Sequence, residues 1–391
     1  MKFTVIGGGP SGLYFALLAK KRLPHVEIEV LEQNPRSATY GFGIVLADSG
    51  LNRFQEADPQ SYEQLVAASF VSRHRVVKHR GQSVFVDGSG YGGAIARLRM
   101  LNILQDRCEQ IGVRVAYDCR IESPGTVEAD LIVGADGVNS AVRRDCAAFG
   151  TTSWTLTNRL AWYGTEQHFP YPVLAFKTTD DGNFWSAAYA YTERLSTFVA
   201  ECDADTWTRS GFDKMSDTER QAFTEALFAE ELGGKKLINN KSAWHSLPVI
   251  RNKNWSVGNK VLIGDALHSA HPTIGSGTRI ALEDSNALVD ALAAEPDIAR
   301  ALALFRQVRE PQKQKMVVAA EKSFMWYEHV AGKLRDLEPI PFVFDFMTRT
   351  GRINESRLNH EYPRFMKAHA SEWRQFMSTH ATAGGQANVR A

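Results

Sequence analysis

Six residues near the start of the chain restrict its architecture more than any other feature. Phe3-Thr4-Val5-Ile6 is a short β-favouring run, Gly7-Gly8-Gly9-Pro10-Ser11-Gly12 comes at once after it, and residues 13–23 then carry apolar side chains at helical spacing. Glycines at positions 7, 9 and 12 permit a tight turn, close approach of a pyrophosphate to backbone N–H groups, and close helix-on-strand packing. The helix start turns its free N–H groups toward that charge. Val26-Glu27-Ile28-Glu29-Val30-Leu31-Glu32 alternates as a second strand and ends in a carboxylate suited to accept ribose hydroxyls. The unit is a βαβ dinucleotide site, for NAD or FAD.

With 391 residues, 44% of them hydrophobic, the chain exceeds what one core holds, since single cores stop growing at roughly 250–300 residues, and two domains are expected. Residues 1–70, 94–158 and 255–300 read as a discontinuous dinucleotide-binding domain. It contains a helix from Ala94 that Gly112 ends, strands at 113–117 and 130–133, and the apolar run Lys260-Val261-Leu262-Ile263 before Gly264-Asp265. Residues 71–93 and 159–254, with strand-like stretches rich in Trp, Tyr, Phe and Thr, read as an antiparallel-sheet domain. Residues 301–375 read as helical with an interruption at Pro311, and the polar tail 376–391 as disordered.

Lys and Arg total 45 against 44 Asp and Glu, which leaves no field to collect nucleic acid or an anionic membrane. Cys108, Cys119, Cys146 and Cys202 lie far apart without a CxxC pair, so neither a disulfide framework nor a metal site is expected. Met1-Lys2-Phe3 runs directly into the first strand and no uncharged apolar stretch of about 18 residues occurs, which fits a cytoplasmic protein, monomer or homodimer.

Two later segments decide between NAD and FAD. Asp130-Leu131-Ile132-Val133-Gly134-Ala135-Asp136-Gly137-Val138-Asn139-Ser140-Ala141-Val142-Arg143 resembles the DG signature of the FAD-dependent (group A) aromatic monooxygenases. Gly264-Asp265-Ala266-Leu267-His268-Ser269-Ala270-His271-Pro272-Thr273-Ile274-Gly275-Ser276-Gly277 resembles their GD motif. The resemblance implies an α/β fold in which a Rossmann-like FAD-binding domain, of the p-hydroxybenzoate hydroxylase type, is interleaved with an antiparallel-sheet substrate domain and followed by helices. It implies FAD contacts from Gly7, Gly9, Gly12, Glu32 and Asp136, ribose binding by Asp265, and approach to the flavin ring by Pro272, Gly275, Gly277 and Thr278. Arg97 matches the arginine that meets the pyrophosphate or ribose, with Arg99 as its nearest competitor. Arg36 either reaches the adenine or pyrophosphate or is an exposed turn arginine. His268 is a candidate beside the ring, and His271 reads as a loop histidine.

Gly41-Phe42-Gly43-Ile44-Val45-Leu46, Trp162-Tyr163-Gly164-Thr165 and Ser196-Thr197-Phe198-Val199-Ala200-Glu201-Cys202 narrow the resemblance to the subgroup of salicylyl-CoA 5-hydroxylase, anthraniloyl-CoA monooxygenase and the violacein-pathway tryptophan hydroxylase. This resemblance implies reduction of FAD by NADH or NADPH, reaction with O2 to a flavin hydroperoxide, and oxygen transfer to an electron-rich aromatic ring, with no metal. The expected substrate is an aromatic acyl-CoA such as salicylyl-CoA; a free aromatic acid or an indole is the alternative, and an FAD reductase or oxidase the alternative of another class. Tyr163, Trp185, Tyr189 and Tyr191 are the candidate substrate contacts, and of these Tyr189 and Tyr191, together with His268, are the candidate catalytic residues. Arg73, Arg75, Lys78 and Arg80 form the densest basic run, either CoA-phosphate contacts or a charged strand edge, and Arg349 with Arg352 is a second basic candidate.

Overall fold

The computed structural model describes residues 1–36, 38, 40–47, 52–88, 92–269 and 271–387. Ala270 of the second glycine-rich segment and tail residues 388–391 lie outside it. The chain divides into two compact units: Met1–Phe70, Gly93–Leu156 and Ser246–Ala320 form one, and Val71–Gly92, Thr157–His245 and Glu321–Ala391 the other.

The first unit is built on a six-stranded sheet in the order Ser256–Val257, Lys260–Leu262, Leu131–Gly134, Lys2–Ile6, Glu27–Leu31, Arg114–Ala116. All neighbours are parallel except the edge hairpin of the first two. Leu131–Gly134 is buried throughout, the signature of a parallel sheet covered on both faces. Helix Pro10–Arg22 is buried from Ser11 to Ala19 because helices Arg97–Gln110 and Gly277–Ala294 pack against it.

Three expectations change here. Ala94 lies in a strand, Gly92–Ala96, and the helix begins only at Arg97. Residues 246–254 fall in this unit because strand Pro248–Asn252 pairs antiparallel with Thr151–Thr155, and Asn252 Nδ2 donates to the carbonyls of Ala266 and Leu267. Pro311 does not interrupt its helix, which runs continuously over Ile298–Glu328. Pro311 and Gln307 are both exposed, so solvent takes the carbonyl that the missing N–H leaves free.

The second unit contains a seven-stranded sheet in the order Leu237–Ile238, Arg159–Thr165, Ser196–Cys202, Gly182–Ala190, Val173–Thr179, Arg75–His79, Gln82–Val86. Only Val173–Thr179 and Arg75–His79 run parallel. Strand side chains alternate, so the sheet feeds two cores. Tyr163, Phe184 and Phe198 pack with Trp207, Phe212, Phe228 and Trp244, the side of the short helices Ala204–Arg209, Asp217–Leu227 and Ala229–Leu232. Val77, Phe176 and Trp185 face the other way, against Trp326, Tyr327 and Phe342. Part of the expected disordered tail is helix Ala370–Ala387, anchored by buried Trp373 and Phe376 against Phe344. Among the described residues no helix is long and apolar enough to cross a membrane.

Candidate functional site

The opening glycines differ in what they do. Gly7 has φ +107°, and a Cβ there would fall 2.5 Å from the Ala135 carbonyl oxygen. A Cβ on Gly12 would fall 2.0 Å from the Gly7 carbonyl oxygen. Both positions are closed by backbone. Gly9 caps helix Pro10–Arg22 and has no neighbour within 4 Å of its own virtual Cβ, so its side of the turn is open. No side chain caps this helix start and Pro10 has no N–H, so the next N–H groups face outward, the arrangement a pyrophosphate requires. Glu32 follows the strand Glu27–Leu31 beside this turn and accepts from Gly8 N at 2.6 Å and from Asn34 N and Nδ2 at 2.8 and 2.7 Å.

The two later motifs are joined to each other. Asp136 Oδ2 accepts from Ala141 N at 2.6 Å, and Ser140 Oγ accepts from Arg143 N at 3.0 Å, which starts helix Ala141–Arg144. Buried Arg143 then donates to the carbonyls of Ala266, at 3.0 Å, and Val138. Asp136 Oδ1 is buried with no hydrogen-bond partner among the described residues, and burial raises this carboxyl above its ordinary range. Gly264 has φ +60°, with its virtual Cβ 3.1 Å from Ser11 Oγ, so the second motif packs on the first helix. Exposed Asp265 comes next in the same turn.

Beneath that turn lies a charged cluster that sequence reasoning missed. Fully buried Asp284 accepts from Gly264 N at 3.1 Å, Arg309 Nε at 2.8 Å and Lys313 Nζ at 2.5 Å. Burial pulls the Lys313 ammonium down while Asp284 opposes it. The available signal was Arg309 and Lys313, one helical turn apart.

Gly275, at φ +62°, ends the short turn Pro272–Ile274, and helix Gly277–Ala294 opens two residues later with no side-chain cap. Thr278 sits in its first turn. This is a second helix start with outward N–H groups, at the position the resemblance assigns to the flavin ring. His271 is the loop histidine expected: its Nδ1 meets Thr273 Oγ1 at 2.9 Å, and burial lowers its pKa to about 4. His268 stands edge-on to Trp255 with ring centroids 5.7 Å apart. Burial, then Lys313 and Arg251, lower its pKa to about 2, which removes it from acid–base work near neutral pH.

Arg97 donates through Nη1 to the Tyr40 carbonyl at 3.2 Å. Burial lowers its pKa, and Asp265 and Glu32 act in the opposite direction, so the guanidinium lies in the field of both candidate ribose carboxylates. Arg36 pairs with Asp106 and, at 2.5 Å, with Glu109, and lines a cleft of about 560 Å³ with Pro35, Arg99, Asn102 and Asp106. These residues fit an FAD: an open helix start, the carboxylates of Glu32 and Asp265, an arginine in the field of both, an orphaned acceptor on Asp136, and a second uncapped helix.

In the second unit the candidates separate. Tyr163 belongs to the core under the short helices, where its hydroxyl accepts from Trp244 Nε1 at 3.1 Å and burial pushes its phenol up to about 12. That placement replaces the substrate role expected for it. Trp185 and Tyr189 lie on the opposite face, opposed across the strands by Glu201 and Thr197. Tyr191, just beyond that strand, is buried. The basic run is largely spent on the unit itself: Arg75 donates to Tyr362 Oη at 3.1 Å, Lys78 pairs with Glu230 and Glu231, and Arg80 with Glu338. Arg73 is exposed. Arg349 donates to Ser323 Oγ and the Phe346 carbonyl, which corrects its reading as a phosphate contact.

Residues 98–317 match the FAD binding domain family, and residues 5–73 the NAD(P)-binding Rossmann-like domain. The chain is 34% identical over 362 residues to salicyloyl-CoA 5-hydroxylase of Streptomyces sp, covering 90% of this chain and 70% of that one. It is 34% identical over 356 residues to 3-hydroxy-4-methyl-anthranilyl-[aryl-carrier protein] 5-monooxygenase of Streptosporangium sibiricum, covering 90% and 95%. A crystal structure of 2-methyl-3-hydroxypyridine-5-carboxylic acid oxygenase has the same fold, with TM-score 0.72 at 17% identity over 91% of this chain and 95% of that one. The chain belongs to the FAD-dependent aromatic monooxygenases, which use FAD together with NADH or NADPH.

Proposed function

We propose that the enzyme hydroxylates an aromatic acyl thioester bearing a hydroxyl or amino group ortho to the acyl carbon, at the ring position para to that group. The observation that carries this reading is the pair of relatives at 34% identity, whose names each give a benzoyl group with oxygen or nitrogen at C2, held on CoA or a carrier protein, and oxidised at C5. C5 is para to C2, where a lone-pair donor makes the ring most nucleophilic. FAD, when bound, would supply the redox chemistry by which NADH or NADPH and dioxygen place one oxygen atom on the ring and the other in water. The glycine turn, Glu32, Arg97, Asp136 and Asp265 hold the cofactor in this reading, and the helix start at Gly277 and Thr278 meets its ring. Arg73, exposed at the end of the basic run whose Arg75, Lys78 and Arg80 have partners within the unit, is the remaining basic candidate for the acyl carrier.

The test is NADH and NADPH oxidation by the FAD-loaded protein with salicylyl-CoA, anthranilyl-CoA, the two free acids and tryptophan-type indoles, with product masses recorded. Faster oxidation with a thioester, and a thioester product heavier by one oxygen, is expected. Oxygenation of the free acids or indoles alone overturns the thioester assignment.

A further inference from the structure

Among the described residues the second unit buries three carboxyl side chains, and two have cations. Glu231 is paired with Lys177 at 2.7 Å and Lys78 at 3.2 Å, and Asp345 with Lys333 at 2.7 Å. Glu201 has no ion pair among the described residues. Its direct hydrogen bond comes from Asn158 Nδ2, at 3.2 Å. It occupies the central strand Ser196–Cys202, directly opposite Leu160 on one side and Trp185 on the other. An unpaired carboxyl in the middle of a sheet is costly, and such groups persist where they have work to do.

Several polar atoms on this side of the sheet lack partners among the described residues. The indole N–H of Trp185 lies close enough to favour the charged carboxylate but makes no aligned hydrogen bond, and Trp162 Nε1 and Asn158 Oδ1 are buried without partners among the described residues. Trp162 is opposite Val199 on the neighbouring strand, so it shares the sheet face of Glu201. On this face Trp162, Val199, Ala187 and Tyr189 are only half-buried, whereas Glu201 and Trp185 are buried. The face therefore runs from half-buried, mostly aromatic and aliphatic side chains to a buried carboxyl, an arrangement that suits an aromatic ring carrying one polar donor.

We propose that Glu201 receives the hydroxyl or amino group of the aromatic substrate, accepting its hydrogen bond and, for a hydroxyl, its proton. The transfer balances as carboxylate plus phenol to carboxylic acid plus phenolate, and it places electron density on the ring before oxygen arrives. The inference rests on the proposed ortho-substituted substrate, although not on its thioester. Burial raises the Glu201 pKa to about 8, Trp185 and Asn158 oppose the rise, and Glu328 adds to it. Among the described residues Tyr327, which also feels Arg349 and Arg75, and the Cys202 thiol are further ionisable groups that feel Glu201. Affinity for the donor-bearing ring should thus grow as pH rises through about 8 in the wild type.

Wild type, Glu201→Gln and Glu201→Asp, each loaded with FAD, are titrated by tryptophan quenching between about pH 6 and about pH 9. The probes are salicylyl-CoA, anthranilyl-CoA and benzoyl-CoA, and in parallel salicylate, anthranilate and benzoate. Wild type should prefer the substituted ring to the unsubstituted one within a series by roughly tenfold or more, increasingly so at high pH. Glu201→Gln should lose both the preference and its pH dependence while retaining FAD, and Glu201→Asp should keep part of each. A preference that survives unchanged in Glu201→Gln, or no preference in either series, overturns the role of Glu201. Equal binding of free acids and thioesters overturns only the thioester assignment, because that comparison runs between series.

Discussion

The virtual Cβ of Gly12, in helix Pro10–Arg22, lies 2.0 Å from the carbonyl oxygen of Gly7, whose own N–H donates to the Leu31 carbonyl of the neighbouring strand. Gly9, three residues earlier, has extended backbone and open space. The two positions should therefore fail differently. Gly12→Ala is expected to yield little folded protein. Gly9→Ala should melt within a few degrees of wild-type apoprotein yet bind FAD at least about tenfold more weakly, because its methyl occupies phosphate space. Melting curves and FAD retained after desalting separate the two, and unchanged FAD affinity in Gly9→Ala would place the pyrophosphate elsewhere.

Removing Asp284 leaves Lys313 buried without its anion, while Arg309 keeps Glu283 at 3.0 Å. Asp284→Ala should lose about 3–5 kcal/mol in urea unfolding, the usual cost of breaking a buried pair from one side. Lys313→Met alone should cost less, since Arg309 still neutralises Asp284. A loss below about 1 kcal/mol in Asp284→Ala would show that the cluster is hydrated.

Tyr163→Phe deletes only the acceptor for Trp244 Nε1. Stability should fall by about 1–2 kcal/mol, with KM for the aromatic substrate unchanged, whereas Trp185→Leu on the opposite face should raise KM. A raised KM in Tyr163→Phe would return that residue to the substrate side.

His268 and His271 are both held neutral by burial, with folded pKa values near 2 and 4 against an ordinary 6.5. The unfolded chain therefore binds more protons below about pH 6.5, and their contribution is complete above that value and lost as pH falls, through about 4 for His271 and on toward about 2 for His268. Between pH 7 and pH 5 the loss should be on the order of 2–4 kcal/mol for the pair. His271→Gln should flatten part of that slope in denaturation series at the two pH values; an unchanged slope would mean that His271 titrates normally.

The features legible in the chain alone were those that local spacing controls. Gly7, Gly12 and Gly264 are required by contacts a few atoms away, so the residue type itself carries the information. The same holds for Glu32, directly after its strand. Tyr163 was legible as a sheet residue but not as to face, because face depends on which helices arrive to cover it: Trp207 and Phe212 on one side, Trp326 and Tyr327 on the other. Asp284 and Lys313 are 29 residues apart, and only the packing of two helices joins them. Glu201 stands in a strand that its β-favouring neighbours make legible, and its charge amid apolar residues was a usable signal.

The parallel sheet also sets a timetable for synthesis. Strand Lys260–Leu262 pairs with Leu131–Gly134, which is buried on both faces in the finished protein. A ribosome must make the strands from Arg159 through Cys202 before it reaches residue 260. The nascent amino-terminal half therefore waits with a bare apolar strand edge while the second sheet is completed. Slow or interrupted translation between residues 135 and 260 should be the stage at which this chain depends most on a chaperone.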